Sequence, residues 1–344
     1  MSVINWGIVG LGNVAHKFAD GFKYLKNSRL KGISSKDDLK LNYFKNKHII
    51  KDEYCFKNYN DLIQCPDIDI IYLALPNNLH FEWINQCINA KKNILVEKPA
   101  LIKVKEALDI KNKLSNSTIY FTEAFMYKFC PHIQSITNEI LKGSIGEITH
   151  MNSNFSIKTY KLFKILGFTF KKPDFSNRLY NKDLGGGSIL DLGCYPLSLS
   201  NQIANLKKPI SKDNIVIKNI KKNICESNVE ISASCKIEYD KDFYSEISCS
   251  FENNSDQTTI IYGKEGNISL KNTWQPHQNS KIKLNNNNEN KIIDLNIDQN
   301  IYSYEINEIS NQLLNSNTHP EKPALNIDDI LLNTSIMNYW INNN

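Results

Sequence analysis

Arginine is almost missing from this chain. Arg29 and Arg178 are the only two, within a total of 41 lysines and arginines that faces 36 acidic residues and leaves a formal charge of +5. The lysines are scattered among Asn, Ile and Asp rather than gathered into one basic block, so a nucleic-acid surface is not expected. The wealth of lysine and asparagine is taken as compositional bias without functional weight. Also missing are a Cys-x-x-Cys pair and a nearby His cluster at zinc spacing. The eight cysteines, Cys55, Cys65, Cys87, Cys130, Cys194, Cys225, Cys235 and Cys249, stand apart. Reduced, mostly buried thiols and no metal centre are the expectation. No apolar run approaches the roughly 18 uninterrupted residues of a membrane span. The start Met1-Ser2-Val3-Ile4-Asn5-Trp6-Gly7 lacks a basic segment followed by an apolar core. A cytoplasmic protein with no membrane partner is expected. No internal repeat is visible. What remains is ordinary for a globular enzyme: 344 residues, 41% apolar and 10% aromatic, enough for two domains and a sizeable core.

The first half has the rhythm of a doubly wound α/β sheet. Ile4-Asn5-Trp6-Gly7-Ile8-Val9 predicts a strand that runs into Gly10-Leu11-Gly12-Asn13-Val14-Ala15, with a helix from Ala15 to Tyr24. This is the dinucleotide-binding fingerprint in its Gly-x-Gly-x-x-Ala form. Gly10 allows the tight turn, Gly12 lets backbone approach a pyrophosphate, and Ala15 lets the helix pack closely. The exposed N–H groups of Gly12, Asn13 and Val14 at the helix start suit an anion. A second strand, Leu30 to Ser34, ends in Ser35-Lys36-Asp37-Asp38, where the ribose-reading residue belongs. A carboxylate there holds the 2′-hydroxyl of NAD, whereas a hydroxyl followed by a cation accommodates the 2′-phosphate of NADP. Ser35 and Lys36 come first, which favours NADP over NAD; the other outcome is a polar loop in which Asp37 caps the next helix.

A further strand, Asp69 to Leu75, ends at Pro76-Asn77-Asn78-Leu79-His80, and a helix follows to Ala90. Pro76 and Asn77 fall on the same carboxyl edge as the glycine turn, beside the dinucleotide. His80 reads two ways, as a group meeting the nicotinamide side or as a packed histidine. The strand Asn93-Ile94-Leu95-Val96 then delivers Glu97-Lys98-Pro99 to that edge. Ligands of open parallel sheets bind at strand carboxyl ends, so Lys98 is placed to meet substrate or cofactor. A helix from Val104 to Leu114 and a strand at Ile119-Tyr120-Phe121 complete the half.

Gly10-x-Gly12-x-x-Ala15, Pro76-x-x-x-His80 and Glu97-Lys98-Pro99, in this order and spacing, resemble the glucose-fructose oxidoreductase, inositol dehydrogenase and MocA (Gfo/Idh/MocA) family of NAD(P)-dependent oxidoreductases. The resemblance implies that Lys98 lies by the nicotinamide ring and the substrate, with Glu97 beside it among the cofactor-binding residues. It also implies a Rossmann dinucleotide-binding domain over residues 1–122. An α+β domain with an open, mostly antiparallel sheet is expected over 123–344, with the last helix placed near the first domain. The run Glu123-Ala124-Phe125-Met126-Tyr127-Lys128 resembles the hinge of the branch containing dihydrodiol, xylose and anhydrofructose enzymes. Lys128 stands where that branch usually has arginine, and a lysine cannot reproduce a planar bidentate fork.

Gly185-Gly186-Gly187-Ser188-Ile189-Leu190-Asp191-Leu192-Gly193-Cys194-Tyr195-Pro196 permits close backbone approach and then suits a helix. Asp191 and Tyr195, four apart, are expected on one helical face, one turn from each other. The same run resembles the catalytic motif of the dihydrodiol and sugar dehydrogenase branch, which places Tyr195 on the acid/base position. Alternating segments at Glu230–Tyr239, Tyr244–Phe251 and Thr258–Gly263 predict antiparallel strands; Asn285 to Asn290 is polar and loop-like; Tyr302 to Leu314 and Ile327 to Ile341 predict helices. The resemblance implies a homo-oligomer through the sheet. The expected activity is hydride transfer between nicotinamide and a CH–OH group of a sugar, diol or polyol. Lys98 lowers the Tyr195 phenol from its ordinary pKa of about 10, and Asp191 orients tyrosine or substrate. A nucleotide-linked sugar as substrate and a non-catalytic NADP-binding regulator are the alternatives.

Overall fold

The computed structural model describes residues 2–159, 161–165, 168–172, 175, 177–207, 209–210, 212–239, 242–287 and 289–343. The chain divides into two compact units, 1–130 with 298–331, and 131–297 with 332–344. The domain boundary expected after residue 122 thus differs from the contact division, in which the first unit runs on to Cys130 and regains residues from the far end of the chain.

In the first unit, strands alternate with helices: β1 (Ile4–Val9), α1 (Asn13–Gly21), β2 (Ser28–Ser34), α2 (Asp38–His48), β3 (Cys55–Phe56), α3 (Tyr59–Gln64), β4 (Ile70–Leu73), α4 (His80–Asn89), β5 (Asn93–Glu97), α5 (Val104–Leu114) and β6 (Phe121–Ala124). The sheet is parallel with order β3-β2-β1-β4-β5-β6. Its central strands are apolar on both faces because helices cover both: Trp6, Ile8, Val9, Ile70, Ile71, Tyr72, Leu73, Ile94, Leu95 and Val96 are all fully buried. In this order the path reverses between β1 and β4, the place whose strand carboxyl ends bind ligands in open parallel sheets.

The second unit holds α6 (Pro131–Leu141), β7 (Ile148–Ser156), β8 (Lys161–Ile165), β9 (Phe168–Lys172), α7 (Cys194–Lys207), β10 (Ile215–Ile224), β11 (Glu230–Tyr239), β12 (Phe243–Ser250), β13 (Thr259–Gly263), β14 (Gly266–Leu270), β15 (Lys281–Asn286) and β16 (Asn290–Asp294). An eight-stranded sheet runs β10-β11-β12-β7-β13-β14-β15-β16, antiparallel except where β12 meets β7 in parallel. The asparagine run expected as loop is instead the tip of the last hairpin, where Asn285 still pairs with Asn290. Strands β11 and β12 alternate buried and partly exposed residues, the pattern of a sheet covered on one face.

Two helices follow, α8 (Ile301–Leu314) and α9 (Ile327–Asn342), the latter lying across the division at residue 331. Among the described residues, no helix is long and apolar enough to cross a membrane.

Helix α8 closes the first unit. Ser310 Oγ accepts from Trp6 Nε1 at 3.0 Å and from Ser28 Oγ at 2.8 Å, and Gln312 Oε1 accepts from Tyr120 OH at 2.8 Å. Ile306 and Ile309 are fully buried beside these bonds. A little further on, Thr122 Oγ1 donates to Leu325 O and accepts from Leu325 N. Residues 1–130 expressed alone leave these apolar and polar seats open. The fragment is expected to bind a hydrophobic dye and lose cooperative thermal melting, and linking 298–331 to it abolishes the dye binding and restores the cooperative melt. A cooperative melt of 1–130 by calorimetry counts against this view of α8.

Candidate active site

Five loop beginnings meet at the carboxyl edge of the parallel sheet. After β1, Gly10 adopts φ +88°, and a Cβ there would lie 2.6 Å from Ala74 O and 2.8 Å from Leu75 Cδ2. Only glycine fits that turn without strain. Gly12 is exposed with nothing within 4 Å of a notional Cβ, and it heads α1 without any side-chain cap. Gly10, Gly12, Asn13 and Val14 therefore form an open, uncapped helix start that fits a pyrophosphate.

Beside it, Gly10 N donates to Ser34 O at 3.0 Å, which brings the end of β2 to the glycine turn. Ser35 is buried, and its Oγ accepts from Asp37 N at 3.1 Å. Asp37 Oδ1 accepts from Leu39 N and Lys40 N, capping α2. The carboxylate at this edge is thus engaged with the helix, while Lys36 is exposed, its ammonium 5.3 Å from the Tyr59 ring centre.

On the other side of β1, the end of β4 leads through Pro76 into a short turn at Asn77–Leu79, with Asn77 buried. His80 is fully buried. Its Nδ1 lies 2.9 Å from Pro99 O and its Nε2 2.9 Å from Leu75 O. Of the two sequence alternatives, burial and these contacts describe a packed ring joining two turns.

Lys98, half-buried, follows directly on β5. The turn around it is held on every side. Glu97 accepts from the Tyr72 hydroxyl with one oxygen and from Lys98 N at 3.2 Å with the other. The Lys98–Pro99 peptide bond is cis, and Ala100 N donates to Glu123 Oε1 at 2.8 Å. Burial, and then the negative charge of Glu97, push the Tyr72 phenol well above its ordinary range, so it remains a donor. Burial, followed by the same charge, also raises the Glu305 carboxyl. Glu305 was not anticipated from sequence; it lies on the buried face of α8 among Tyr302, Ile306 and Ile309.

In the second unit, three glycines fold the chain back on itself. Gly186 N donates to Asn181 O and Gly187 N to Leu179 O, both at 2.9 Å. A Cβ at Gly186 would meet the carbonyls of Arg178, Leu179 and Asn181 at 2.7 Å. This fold-back delivers Arg178 to Asp191, with Nη2 to Oδ1 at 3.2 Å. Asp191 lies in a π-helical stretch, Ile189–Gly193, that precedes α7. The run expected as one helix thus opens with a π turn before α7, and Asp191 and Tyr195, four apart, remain about one turn from each other. Tyr195 is buried, its ring edge-on to Phe155 at 5.0 Å and near Trp274 at 5.7 Å. Arg178 is the site partner that the motif spacing missed, since only the fold-back at the glycines brings it to Asp191.

A family described as "Oxidoreductase family, NAD-binding Rossmann fold" matches residues 4–123, and the GFO/IDH/MocA C-terminal domain matches residues 133–269. Trans-1,2-dihydrobenzene-1,2-diol dehydrogenase of Xenopus tropicalis is 26% identical over 208 residues, 60% of this chain and 58% of that protein. D-xylose 1-dehydrogenase (NADP(+)) of Hypocrea jecorina is 27% identical over 207 residues, 57% of this chain and 51% of that protein. The chain thus spans little more than half the length of these two relatives. A 3-ketoreductase from Actinomadura kijaniata, solved with NADP and TDP-benzene, superposes with TM-score 0.81 at 19% identity, covering 98% of this chain and 96% of that one. At this identity the likeness concerns fold.

Lys128 sits in the short helical turn after β6, 2% exposed, its ammonium 5.5 Å from the Tyr127 ring centre. Burial lowers its pKa to about 7, against the pull of the Asp329 and Glu123 charges. The unfolded chain then binds more protons than the folded one between pH of about 7 and the ordinary value of 10.5, so stability rises with pH across that window. Urea unfolding at pH 7, 8 and 9 is expected to show wild type gaining on Lys128→Met by at most about 1.4 kcal/mol per pH unit. A difference between the two proteins that stays constant with pH excludes a depressed Lys128.

Proposed function

From its membership of the GFO/IDH/MocA oxidoreductase family, to which this chain belongs, we propose that it catalyses hydride transfer between NADP and a CH–OH/C=O pair of a sugar, diol or related polyol. The observation that carries this reading is the position of Lys98. It is fixed at the carboxyl end of β5, on the edge where β4 and β1 deliver Asn77 and the Gly10–Gly12 turn. NADP-dependent activity in the name of the Hypocrea relative supports the choice of cofactor.

The residues present fit a nicotinamide dinucleotide. Gly10, Gly12, Asn13 and Val14 would hold its pyrophosphate, Pro76 and Asn77 would flank it, and Ser35 with the exposed Lys36 would receive a 2′-phosphate. Asp37 is already engaged as a helix cap, which supports NADP over NAD. When bound, the dinucleotide supplies the acceptor or donor of the hydride. Tyr195 gives its phenolic proton to the carbonyl oxygen during reduction and takes the alcohol proton during oxidation. Lys98 stabilises the phenolate with its positive charge, bringing the phenol toward the working range. Asp191, paired with Arg178, orients the hydroxylated substrate. The first half of this scheme draws on one unit and the second on the other, so it requires both to act on a single substrate.

A non-catalytic NADP sensor of the same fold is disfavoured by the joint presence of Lys98 and Tyr195. The eight cysteines, none of them in a disulfide, suit the reducing cytoplasm. A homo-oligomer through the eight-stranded sheet belongs to the same proposal. Its support is the sheet's face bearing the stacked His150, Tyr244 and Tyr262 rings and a groove of about 470 Å³ lined by Asn152, Lys236 and Glu246.

Nicotinamide absorbance with a panel of aldoses and diols tests the reading. Wild type is expected to turn over with NADP faster than with NAD. Lys98→Met and Tyr195→Phe are each expected to lose roughly 10³-fold in kcat while retaining NADPH binding by fluorescence. Near-normal turnover in both variants overturns the assignment of roles.

A further inference from the structure

We propose that His80 is a positioning residue, whose imidazole ties the turn after β4 to the turn carrying Lys98 and so sets where the ammonium points. The proposal rests on the reading of Lys98 given above and extends it. The ring stands at the first residue of α4, and its two nitrogens face two main-chain carbonyls at 2.9 Å each. One carbonyl, Leu75 O, ends the segment whose side chain closes over Gly10 and which continues into Pro76 and Asn77. The other, Pro99 O, belongs to the residue directly after Lys98. The two turns leave the neighbouring strands β4 and β5, and the imidazole links their backbones.

Two carbonyls are satisfied together only by a ring that carries both of its N–H groups, because a neutral imidazole has one donor. This doubly protonated form is part of the proposal, and its two bonds would be charge-assisted. His80 is 0% exposed, so no ligand atom reaches it, and it acts through the backbone it holds. It works with Glu123, which holds Ala100 N at 2.8 Å, and with Tyr72, which holds Glu97. Residues 97–100 are thereby gripped from α4, β4 and β6. A reacting group that shifts by about 1 Å loses on the order of 10²-fold in rate.

The experiment uses the full-length protein with NADPH. His80→Leu removes both bonds and His80→Gln retains one donor. The expected result is a fall in kcat of roughly 100-fold for the leucine variant and less for the glutamine variant. The NADPH dissociation constant, measured by fluorescence, is expected to stay within about threefold, a change worth well under 1.4 kcal/mol. Loss of NADPH affinity in step with kcat makes His80 a cofactor contact and overturns the proposal, as does an unchanged kcat in both variants. Should His80→Leu fail to melt cooperatively, His80→Gln carries the comparison.

A second arm needs no turnover. In ¹⁵N-histidine-labelled wild type with NADPH, the ring signal absent from His80→Gln is expected to show two exchange-protected N–H groups. A bare nitrogen overturns the bridge. Lys98→Met assayed alongside separates the two ideas. Full activity in that variant defeats the role of Lys98 while the nitrogen spectrum still decides the bridge.

Discussion

The negative charge of Glu97 is the constraint around which the catalytic edge is arranged. A carboxylate drawn partly out of water loses hydration that hydrogen bonds replace, and half-buried Glu97 accepts from a phenol and from its own neighbour's amide. Hydrogen bonds to a charged group contribute about 1.5–3 kcal/mol each, so two of them offset much of the desolvation. The same charge explains the state of its surroundings. Tyr72 keeps its proton because ionisation would set a second anion against the first in a buried site. Glu305, fully buried with neither carboxyl oxygen hydrogen-bonded, also keeps its proton, first through burial and then through Glu97. One charge with two protonated neighbours is the arrangement that low polarity allows. One of the donors to it is the Lys98 amide, so the position of the lysine backbone is tied to this half-buried charge.

That arrangement depends on a helix from the other end of the chain. Glu305 lies on α8, which fills the flank of the parallel sheet near β1 and β2 through Ser310, Ile306 and Ile309. Gly21 allows this closeness, since a Cβ there would lie 3.0 Å from Ile306 Cδ1 and 3.1 Å from Ser303 N. Sheet and helix share one core, and the acid environment around Glu97 is complete only when the late helix has docked. The first unit therefore joins its local strand-helix rhythm to contacts about three hundred residues apart in sequence, a topology in which loop closure precedes much of the reward.

The features legible in the sequence are those whose physical cause is local. The Gly10 turn, the apolar β4 and β5, and the charged residues that end β5 all declare themselves within a few residues, and the parallel sheet is found as expected. The antiparallel strands at 230–239 and 244–251 follow from a period of two and are likewise present. What escaped depends on distance or on small departures from regularity. Strand β3 has only two residues, Cys55 and Phe56, too few for any period. The asparagines at 285–290 have low strand propensity, yet register with β14 draws them into a hairpin. The π stretch at Ile189–Gly193 differs from an α turn by one residue per hydrogen-bonded ring, and no composition signals it. Gly193 sits in that stretch against Trp340 and Cys249, where a Cβ would come within 3.1 Å of each, so the irregular turn is tied to packing by the last helix. Arg178 met Asp191 for a similar reason: the pair forms across a fold-back of three glycines.

The second strand's end shows how a local rule can outrank a functional one. A carboxylate in the region after β2 is the usual sign of a ribose 2′-hydroxyl reader, and this chain has two in a row, Asp37 and Asp38. Asp37, however, accepts two amide bonds at the head of α2, and Asp38 bonds the Lys57 ammonium at 2.8 Å. An N-cap of this kind contributes roughly 1 kcal/mol to the helix. Both capping bonds fall on Asp37 Oδ1, so rotation of the side chain away from the helix end would cost the cap. Ser35 is also committed locally, accepting from the Asp37 amide, yet a hydroxyl oxygen that accepts one bond still has a proton to donate. The groups left with capacity at this edge are therefore the Ser35 proton and the exposed Lys36 ammonium. A donor and a cation complement a phosphate dianion, so this edge is suited to the phosphorylated dinucleotide.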